Sequence, residues 1–189
     1  MTAPAGAPTG AAARHGFASS LSADEFKALF RGHPGGVAVI TADAGDGPVA
    51  LTATSVVSVS AEPPLLIFSI SALSSSSDAL SRAETVVVHL LDANDIEVAK
   101  LGAARGVDRF AQAQSWSRLP TGEPVYDGVR AWVRCAVIDR MDAGTSTVIA
   151  AHALESGFGR ELGAGDAGDA LVYHNRAWHR LSDQSRIDA

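Results

Sequence analysis

The sequence predicts a mainly β fold, an antiparallel Greek-key barrel with a few short α-helices. Six or seven short apolar runs, most of them linked to the next by turn residues, are typical of antiparallel strands rather than of a doubly wound parallel sheet. The 189 residues suffice for one domain with a single core. We expect this domain over residues 17–182, a disordered tail over residues 1–16 and a C-terminal tail over residues 183–189.

Composition and charge argue against several classes of protein. Hydrophobic residues make up 47% of the chain, charged residues make up 19%, and the net charge is -6, so neither nucleic acid nor a membrane is an expected partner. Cys135 cannot form an internal disulfide and lies in an apolar pattern, which predicts a core thiol, no metal cluster and a cytoplasmic location. The many small apolar residues favour a homodimer that covers apolar surface.

The first elements are a helix and a hairpin. A helix is predicted over residues 21–31, because Ser22 can cap it while Glu25 reaches back to the Ser22 backbone. A buried strand over residues 36–42 follows, and a Gly-Asp turn over residues 43–48 returns the chain as a hairpin.

The stretch from Val49 to Ser77 is predicted to form two strands joined at Glu62-Pro63-Pro64, followed by a serine run that begins a helix. Because alternate side chains of a strand share a face, the hydroxyls of the first strand form one polar face. This face comprises Thr52, Thr54, Ser58 and Ser60, opposite an apolar face of Leu51, Ala53, Val57 and Val59. Ser55 breaks the alternation, where a bulge could turn the chain toward a ligand. Solvated strands also carry hydroxyls, so the pattern leaves both a ligand site and a plain surface open.

Further short elements follow. The serines before a helix over residues 78–84 suit either a plain helix cap or a phosphate at a helix N-terminus. His89, in a strand over residues 85–91, is interpreted as a hydrogen-bonded core residue. The remaining expectations are a helix over 92–104, a loop to 110, an irregular connection over 111–128, strands over 129–138 and 147–154, and one last strand over 170–181.

A glycine motif at residues 163–168 matches the GxGxxG pattern of dinucleotide-binding folds. That pattern requires a strand directly before it and a helix directly after it. Here glycines precede it and a strand follows it, so we interpret the motif as a flexible loop.

The order of several motifs resembles the flavin reductase family, which has the FMN-binding split-barrel fold. The motifs are Phe30-Arg31, Pro34 to Thr41, Leu51 to Ser55, Ser58 to Ser60, Pro63 to Leu65, Ser74 to Ser76, Val87 to Leu91, Arg109-Phe110, Trp116, Gly122, Pro124 and Leu171 to His174. The resemblance spans about Ser22 to Leu181. It implies a split β-barrel and an NAD(P)H-dependent flavin reductase, often one that supplies reduced flavin to a separate monooxygenase.

The resemblance also implies a site for FMN or FAD, with NADH or NADPH as the electron donor. Thr52, Ala53, Thr54 and Ser55 would contact the isoalloxazine and the ribityl chain, Ser69 and Ser71 the adjacent wall, and Ser74, Ser75 and Ser76 the phosphate. Arg109 and Phe110 would close the outer side, and Tyr173 and His174 would lie at the subunit boundary. The catalytic residue stays unassigned, because hydride transfer between stacked rings needs alignment and a dry pocket rather than a triad.

Two positions depart from the family pattern. Many members carry Gly-Asp-His where Gly144 is here followed by Thr145 and Ser146, and His89 stands where an asparagine is common; His152 is one substitute for the missing histidine. Three hypotheses therefore stay open: a dimeric flavin reductase, a protein that retains its flavin and reduces another substrate, and a binding protein that holds flavin or haem without turnover. In the last case His89 or His174 would serve as the axial ligand.

Overall fold

The computed structural model describes residues 20–161 and 168–187, and in this part of the chain the fold is mainly β with three α-helices. The helices are α1 (Ala23–Arg31), α2 (Ser77–Arg82) and α3 (Ile96–Ala103). The strands are β1 (Gly35–Gly36), β2 (Ala38–Asp43), β3 (Pro48–Ala53), β4 (Val57–Ala61), β5 (Pro64–Ser71), β6 (Thr85–Leu90), β7 (Trp116–Arg118), β8 (Pro124–Tyr126), β9 (Ala131–Ala143), β10 (Ser146–Gly157), β11 (Ala170–His174) and β12 (Ala177–Leu181). The predicted tail over residues 1–16 and all of the glycine motif except Gly168 lie outside the described residues.

The strands form antiparallel sheets, as predicted. The largest has the order β3-β2-β6-β9-β10-β5-β4, a three-stranded sheet has the order β1-β11-β12, and β7 pairs with β8. Within the described residues β3 and β4 are the two edges of the large sheet and are not paired with each other, so no closed barrel is found.

Two hydrophobic clusters lie on opposite faces of the large sheet. Along β2, Ile40 points into one cluster and Val39 into the other, and both side chains are fully buried. Near β2, β3 and β6 the sheet is therefore covered on both faces, with α2 contributing Leu80 to the first cluster and α3 contributing Ala99 to the second.

The other half of the sheet has one face that no described element covers. On β5 and β10, Phe68 and Ile149 point into the first cluster, while Ile67 and Val148 point to the opposite side. This second side, which we call the open face, belongs to neither cluster and its side chains are only partly buried or exposed. It comprises Leu65, Ile67, Ser69, Met141, Val148, Ala150 and His152.

Helix α1 forms as predicted, but none of its side chains is buried by the described part of the chain. Ser22 and Glu25 make the reciprocal capping box, with the Ser22 backbone N–H donating to the Glu25 carboxylate at 2.9 Å. Phe26 and Phe30 contact each other with ring centroids 4.6 Å apart, yet more than half of each side chain is exposed. Local capping thus defines this helix, and tertiary burial contributes little to it.

The prediction of one continuous strand across residues 49–61 is wrong. The chain leaves the sheet at Thr54, and β3 and β4 lie at opposite edges, so residues 54–56 cross from one edge to the other. The face predicted to be apolar is therefore not buried in β4, where Val57 and Val59 are 53% and 57% exposed. Side-chain alternation describes a strand but cannot show that it stops after Ala53.

Two other predicted elements differ from the structure. The last strand is a hairpin, in which Asn175 and Arg176 form the turn with φ values of 48° and 63°. The connection over residues 111–128 contains the β7–β8 hairpin, which a three-residue pairing makes too short to recognise from alternation. No helix in the described part of the chain combines the length and the apolar character that a membrane span requires.

Candidate functional site

Two cavities lie on either side of the point where β3 ends. The first, which we call the serine cavity, measures about 440 Å³ and is lined by Leu51, Thr52, Ser71, Leu73, Ser74, Ser75, Gly102, Ala103, Arg105, Gly106 and Arg109. The second, the arginine cavity, measures about 650 Å³ and is lined by Phe26, Lys27, Phe30, Arg31, His33, Gly35, Thr54, Ser55, Val57, Tyr173, Asn175 and Arg176. Thr52 and Thr54, predicted to share one face, therefore face different cavities.

The serine cavity combines hydroxyls from the β5–α2 connection with arginines from the loop after α3. Ser71 ends β5 and accepts a hydrogen bond from the Leu73 backbone N–H at 3.3 Å, while Ser74 accepts one from the Ser76 backbone N–H at 3.3 Å. These bonds use acceptor capacity and leave the two hydroxyl hydrogens available to a ligand. Ser75 is exposed at the rim, 3.5 Å from the Arg109 guanidinium.

Arg109 is the best placed cation in the serine cavity. Its guanidinium donates to the Ala104 carbonyl at 2.6 Å and to the Ser76 hydroxyl at 3.3 Å. Its Nε is buried and has no hydrogen-bond partner in the described part of the chain. A buried donor without a partner is costly, so this cavity suits an anionic oxygen ligand such as a phosphate.

A chain of buried hydrogen bonds through Tyr126 and His89 holds the backbone of Arg109 in place. The Tyr126 hydroxyl donates to the Arg109 carbonyl at 2.9 Å, and the Tyr126 backbone N–H donates to His89 Nε2 at 3.0 Å. His89 Nδ1 lies 3.0 Å from the Val39 carbonyl, so a neutral ring with its proton on Nδ1 satisfies both contacts. Burial lowers the pKa of His89 to about 4 and raises the pKa of Tyr126 to about 12. The interpretation of His89 as a core residue is confirmed.

Thr52 contributes a wall of the serine cavity by fastening α3 to β3. Its hydroxyl donates to the Ala99 carbonyl at 2.7 Å. Gly102, on the same helix, lies so close that an added Cβ would collide with the Thr52 hydroxyl. A residue without a side chain is therefore needed for this close packing of helix on strand.

Ser55 bridges the gap between the edge strand β3 and β5. Its hydroxyl accepts from the Ser69 backbone N–H at 3.0 Å and is 3.3 Å from the Ser69 carbonyl, to which it donates. Thr54, next to it, is exposed to the arginine cavity, and its hydroxyl has no partner in the described part of the chain. Tyr173 lies on the far wall, packed edge-on against Trp178 at 4.8 Å.

The structure brings eight of the predicted flavin-contact residues to the two cavities, namely Thr52, Thr54, Ser55, Ser71, Ser74, Ser75, Arg109 and Tyr173. The other five line neither cavity. Ala53 and Phe110 are buried in the two clusters, Phe110 stacking on Tyr126 at 5.3 Å. Ser76 is buried and donates to the Ala50 carbonyl at 2.8 Å, Ser69 is on the open face, and His174 lies 5.5 Å from the His179 ring.

Several lining residues were not predicted from the sequence. Arg105 and Gly106 complete the serine cavity, and Arg31 and Arg176 complete the arginine cavity. In the sequence, Arg105 could be recognised from its spacing of four residues from Arg109 in one loop. Arg176 has no comparable sequence signal, because alternation alone does not reveal the turn in which it lies. His152 lies on the open face opposite Leu65, and Thr145 lies in the β9–β10 turn; neither residue lines either cavity.

Comparison with known proteins identifies the family. The model of the flavin reductase like domain matches residues 30–182. The chain belongs to the flavin reductase-like family. The resemblance seen in the sequence motifs is thereby confirmed, and the matched region runs from the end of α1 through β12.

Individual members of the flavin reductase-like family cover most of the chain. It is 39% identical over 162 residues to an NADH:FMN oxidoreductase from Rhodococcus qingshengii, covering 86% of this chain and 83% of that protein. A flavin reductase domain protein from Arthrobacter sp. FB24 has a similar structure, with a TM-score of 0.78, 30% identity and coverage of 88% and 98% of the two chains. BorF, the flavin reductase component of a bacterial two-component tryptophan halogenase, superposes with a TM-score of 0.72 at 30% identity, with coverage of 86% and 99%.

Proposed function

We propose that the chain is an NAD(P)H-dependent flavin reductase that transfers hydride to FMN or FAD. The observation that carries this is a pair of cavities meeting at one strand end, one of them presenting hydroxyls and arginines that suit a phosphate. Family membership and 39% identity to an NADH:FMN oxidoreductase support the same conclusion.

The flavin phosphate is proposed to lie in the serine cavity. Ser71, Ser74 and Ser75 would donate hydroxyl hydrogens, and the Arg109 guanidinium would donate to a phosphate oxygen. The ribityl chain would then pass Thr52, and the isoalloxazine would lie along Thr54 and Ser55 at the entrance to the arginine cavity. Ser69 and Tyr173 are proposed as further walls, whereas Ala53, Ser76 and Phe110 support the site from the interior.

The chain's own contribution is to align two rings and to exclude water. When bound, the flavin accepts the hydride from the reduced nicotinamide. The hydroxyl of Thr54 is free to hold the polar edge of a ring, and Val57 offers apolar surface beside it. Holding two reactants in a fixed mutual geometry accelerates their reaction without a conventional acid or base.

We also propose a homodimer with a split-barrel fold. The open face and α1 leave large apolar side chains exposed, among them Phe26, Leu29, Phe30 and Met141, which a second subunit could cover. The Ser55 hydroxyl, two residues after β3, bonds the Ser69 backbone of β5 and so brings the end of one edge strand close to the opposite end of the sheet. His174, beside the cavity residue Tyr173 on β11, is proposed to lie at the subunit boundary of this dimer.

A separate flavin-dependent monooxygenase is the proposed partner. BorF supplies a precedent, because it is the reductase component of a two-component enzyme. An exposed cavity mouth would let reduced flavin leave for a second protein. A cytoplasmic location fits this role and the free, buried Cys135.

The test is to record the visible spectrum of the purified protein and to follow NADH and NADPH oxidation at 340 nm with FMN, FAD and riboflavin. Oxidation that depends on added flavin is the expected result. A retained flavin that does not turn over with either donor would contradict the proposal and favour a binding protein. Retained flavin with turnover only on another acceptor would contradict release of the flavin.

A further inference from the structure

We propose that the arginine cavity binds the phosphate groups of the dinucleotide hydride donor, with Arg31 and Arg176 as the residues that hold them. This inference rests on the proposed reductase function and names the part of the donor that the second cavity recognises. The flavin phosphate is left to the serine cavity.

The charge of the arginine cavity is opposite to that of the chain. The chain has a net charge of -6, yet Lys27, Arg31 and Arg176 line this cavity and no described carboxylate does. Anionic ligands are therefore attracted to this concave surface in particular.

In the described part of the chain, the side chains of Arg31 and Arg176 differ from those of five other arginines in forming no ion pair. Arg82, Arg118, Arg134, Arg160 and Arg180 each form an ion pair with a carboxylate. Among the described residues, neither the Arg31 nor the Arg176 side chain has an ion pair or a hydrogen bond. A guanidinium with all its donors unused is suited to bidentate contact with phosphate oxygens.

The backbone holds the two arginines together. The Asn175 N–H donates to the Arg31 carbonyl at 3.0 Å, which fixes the β11–β12 turn against the end of α1 and places Arg176 next to it. Asn175 and Arg176 both have positive φ, a turn in which the second position favours glycine. An arginine in this left-handed conformation costs backbone energy, which is consistent with a need for its side chain.

The position of the arginine cavity relative to the proposed flavin site suits binding of the dinucleotide hydride donor. Thr52 faces the serine cavity while Thr54 and Ser55 face the arginine cavity, so the two ligands would approach the β3 end from opposite sides. The exposed rings of Phe26 and Phe30, with centroids 4.6 Å apart and planes inclined at 37°, offer aromatic surface against which an adenine could stack.

The test compares donors with and without phosphate. In Arg31→Gln/Arg176→Gly, kcat/KM for NADH should fall by about tenfold, whereas kcat/KM for the phosphate-free donor 1-benzyl-1,4-dihydronicotinamide should not change. Arg176→Gly relieves the backbone strain, so the single variant should fold at least as stably as the parent while losing part of the NADH effect. Arg186→Gln, an exposed arginine outside both cavities, is the matched control. A larger fall with NADPH than with NADH would assign the contact to the 2'-phosphate, and an equal fall would assign it to the pyrophosphate.

Calorimetric titration with ADP-ribose separates this inference from the reductase proposal, because it needs no turnover. The parent should bind ADP-ribose about tenfold more tightly than Arg31→Gln/Arg176→Gly. Adenosine, which has no phosphate, should bind the two proteins with the same affinity. An equal fall with NADH and the benzyl donor, unchanged ADP-ribose affinity, or a loss that follows FMN but not riboflavin would each overturn the assignment. Absence of flavin reduction by the parent alongside arginine-dependent ADP-ribose binding would overturn the reductase and leave the phosphate site.

Discussion

Thr54 and Ser55 are neighbours in the chain, but their hydroxyls have different roles. The Ser55 hydroxyl is already bonded to the Ser69 backbone, whereas the Thr54 hydroxyl faces the arginine cavity without a partner in the described part of the chain. The same pair of residues therefore combines a structural bridge with a free hydrogen-bonding group.

Changing Thr54 and Ser55 together to valine should weaken flavin binding by about 1 to 3 kcal/mol, since the polar edge of the ring loses the Thr54 hydroxyl and the site loses the Ser55 bridge beside it. Fluorescence titration with FMN measures this affinity. Thr54→Val alone should reduce affinity without changing the urea midpoint, while Ser55→Val alone should lower the free energy of unfolding because Ser69 N–H loses its acceptor. Unchanged FMN affinity in the double variant would remove these residues from the flavin site.

His89 makes stability depend on pH. Its pKa is about 4 in the folded protein and about 6.5 when unfolded, so the unfolded chain binds the proton more readily between these values. The contribution of neutral His89 to the free energy of unfolding is fully present above pH 6.5. This contribution should decline by on the order of 3 kcal/mol as the pH falls to 4. Urea unfolding at a series of pH values, compared with His89→Gln, isolates this contribution from that of the carboxylates. Parallel pH profiles for the two proteins would contradict it.

At the scale of elements, the packing of α3 on β3 shapes the serine cavity. Gly102 and Thr52 meet at this contact, and the Val39 side chain lies 3.3 Å from where a Gly102 Cβ would stand. Backbone closeness, rather than a large side chain, holds this helix in place.

Gly102→Ala should lower the free energy of unfolding by about 1 to 2 kcal/mol. The new Cβ would push α3 away from β3, and the packing energy lost is larger than the stability gained from the higher helix propensity of alanine. Chemical denaturation gives the change. Gly36→Ala is the matched control, since a Cβ there meets no atom within 4 Å. Should the two variants be equally stable, α3 would not be held as closely as described.

Much of the element structure follows from local sequence. The Ser22–Glu25 capping box, the β2–β3 hairpin and the apolar β6 can be predicted because neighbouring residues determine them. The end of β3 at Ala53 and the separation of β3 from β4 cannot be predicted from local sequence. Strand alternation carries no information on which edge of a sheet a strand will join.

At the scale of the molecule, the open face is an apolar surface that no described element of the chain covers. It runs across β5 and β10, where Ile67 and Val148 are only partly buried. Obligate dimers commonly resemble a domain core divided in two, and this face has that composition.

Val148→Asp should convert the proposed dimer to a monomer, since a charge would be buried in the interface without a partner. Light scattering after gel filtration should give twice the 19.4 kDa chain mass for the parent and about half of that value for the variant. Val107→Asp, on an exposed loop, is the control and should stay dimeric. A parent that elutes as a monomer at micromolar concentration would contradict the dimer.

The sequence by itself determined the mainly β class, the capped first helix, the core position of His89 and Cys135, and the family, because each depends on side-chain order within short segments. Tertiary structure alone decided that Thr52 and Thr54 face different cavities, that Phe110 and Ser76 are interior, and that Arg31 and Arg176 meet. The reason is that a cavity is formed by segments far apart in sequence, and the register and ending of each strand set which side chains reach it.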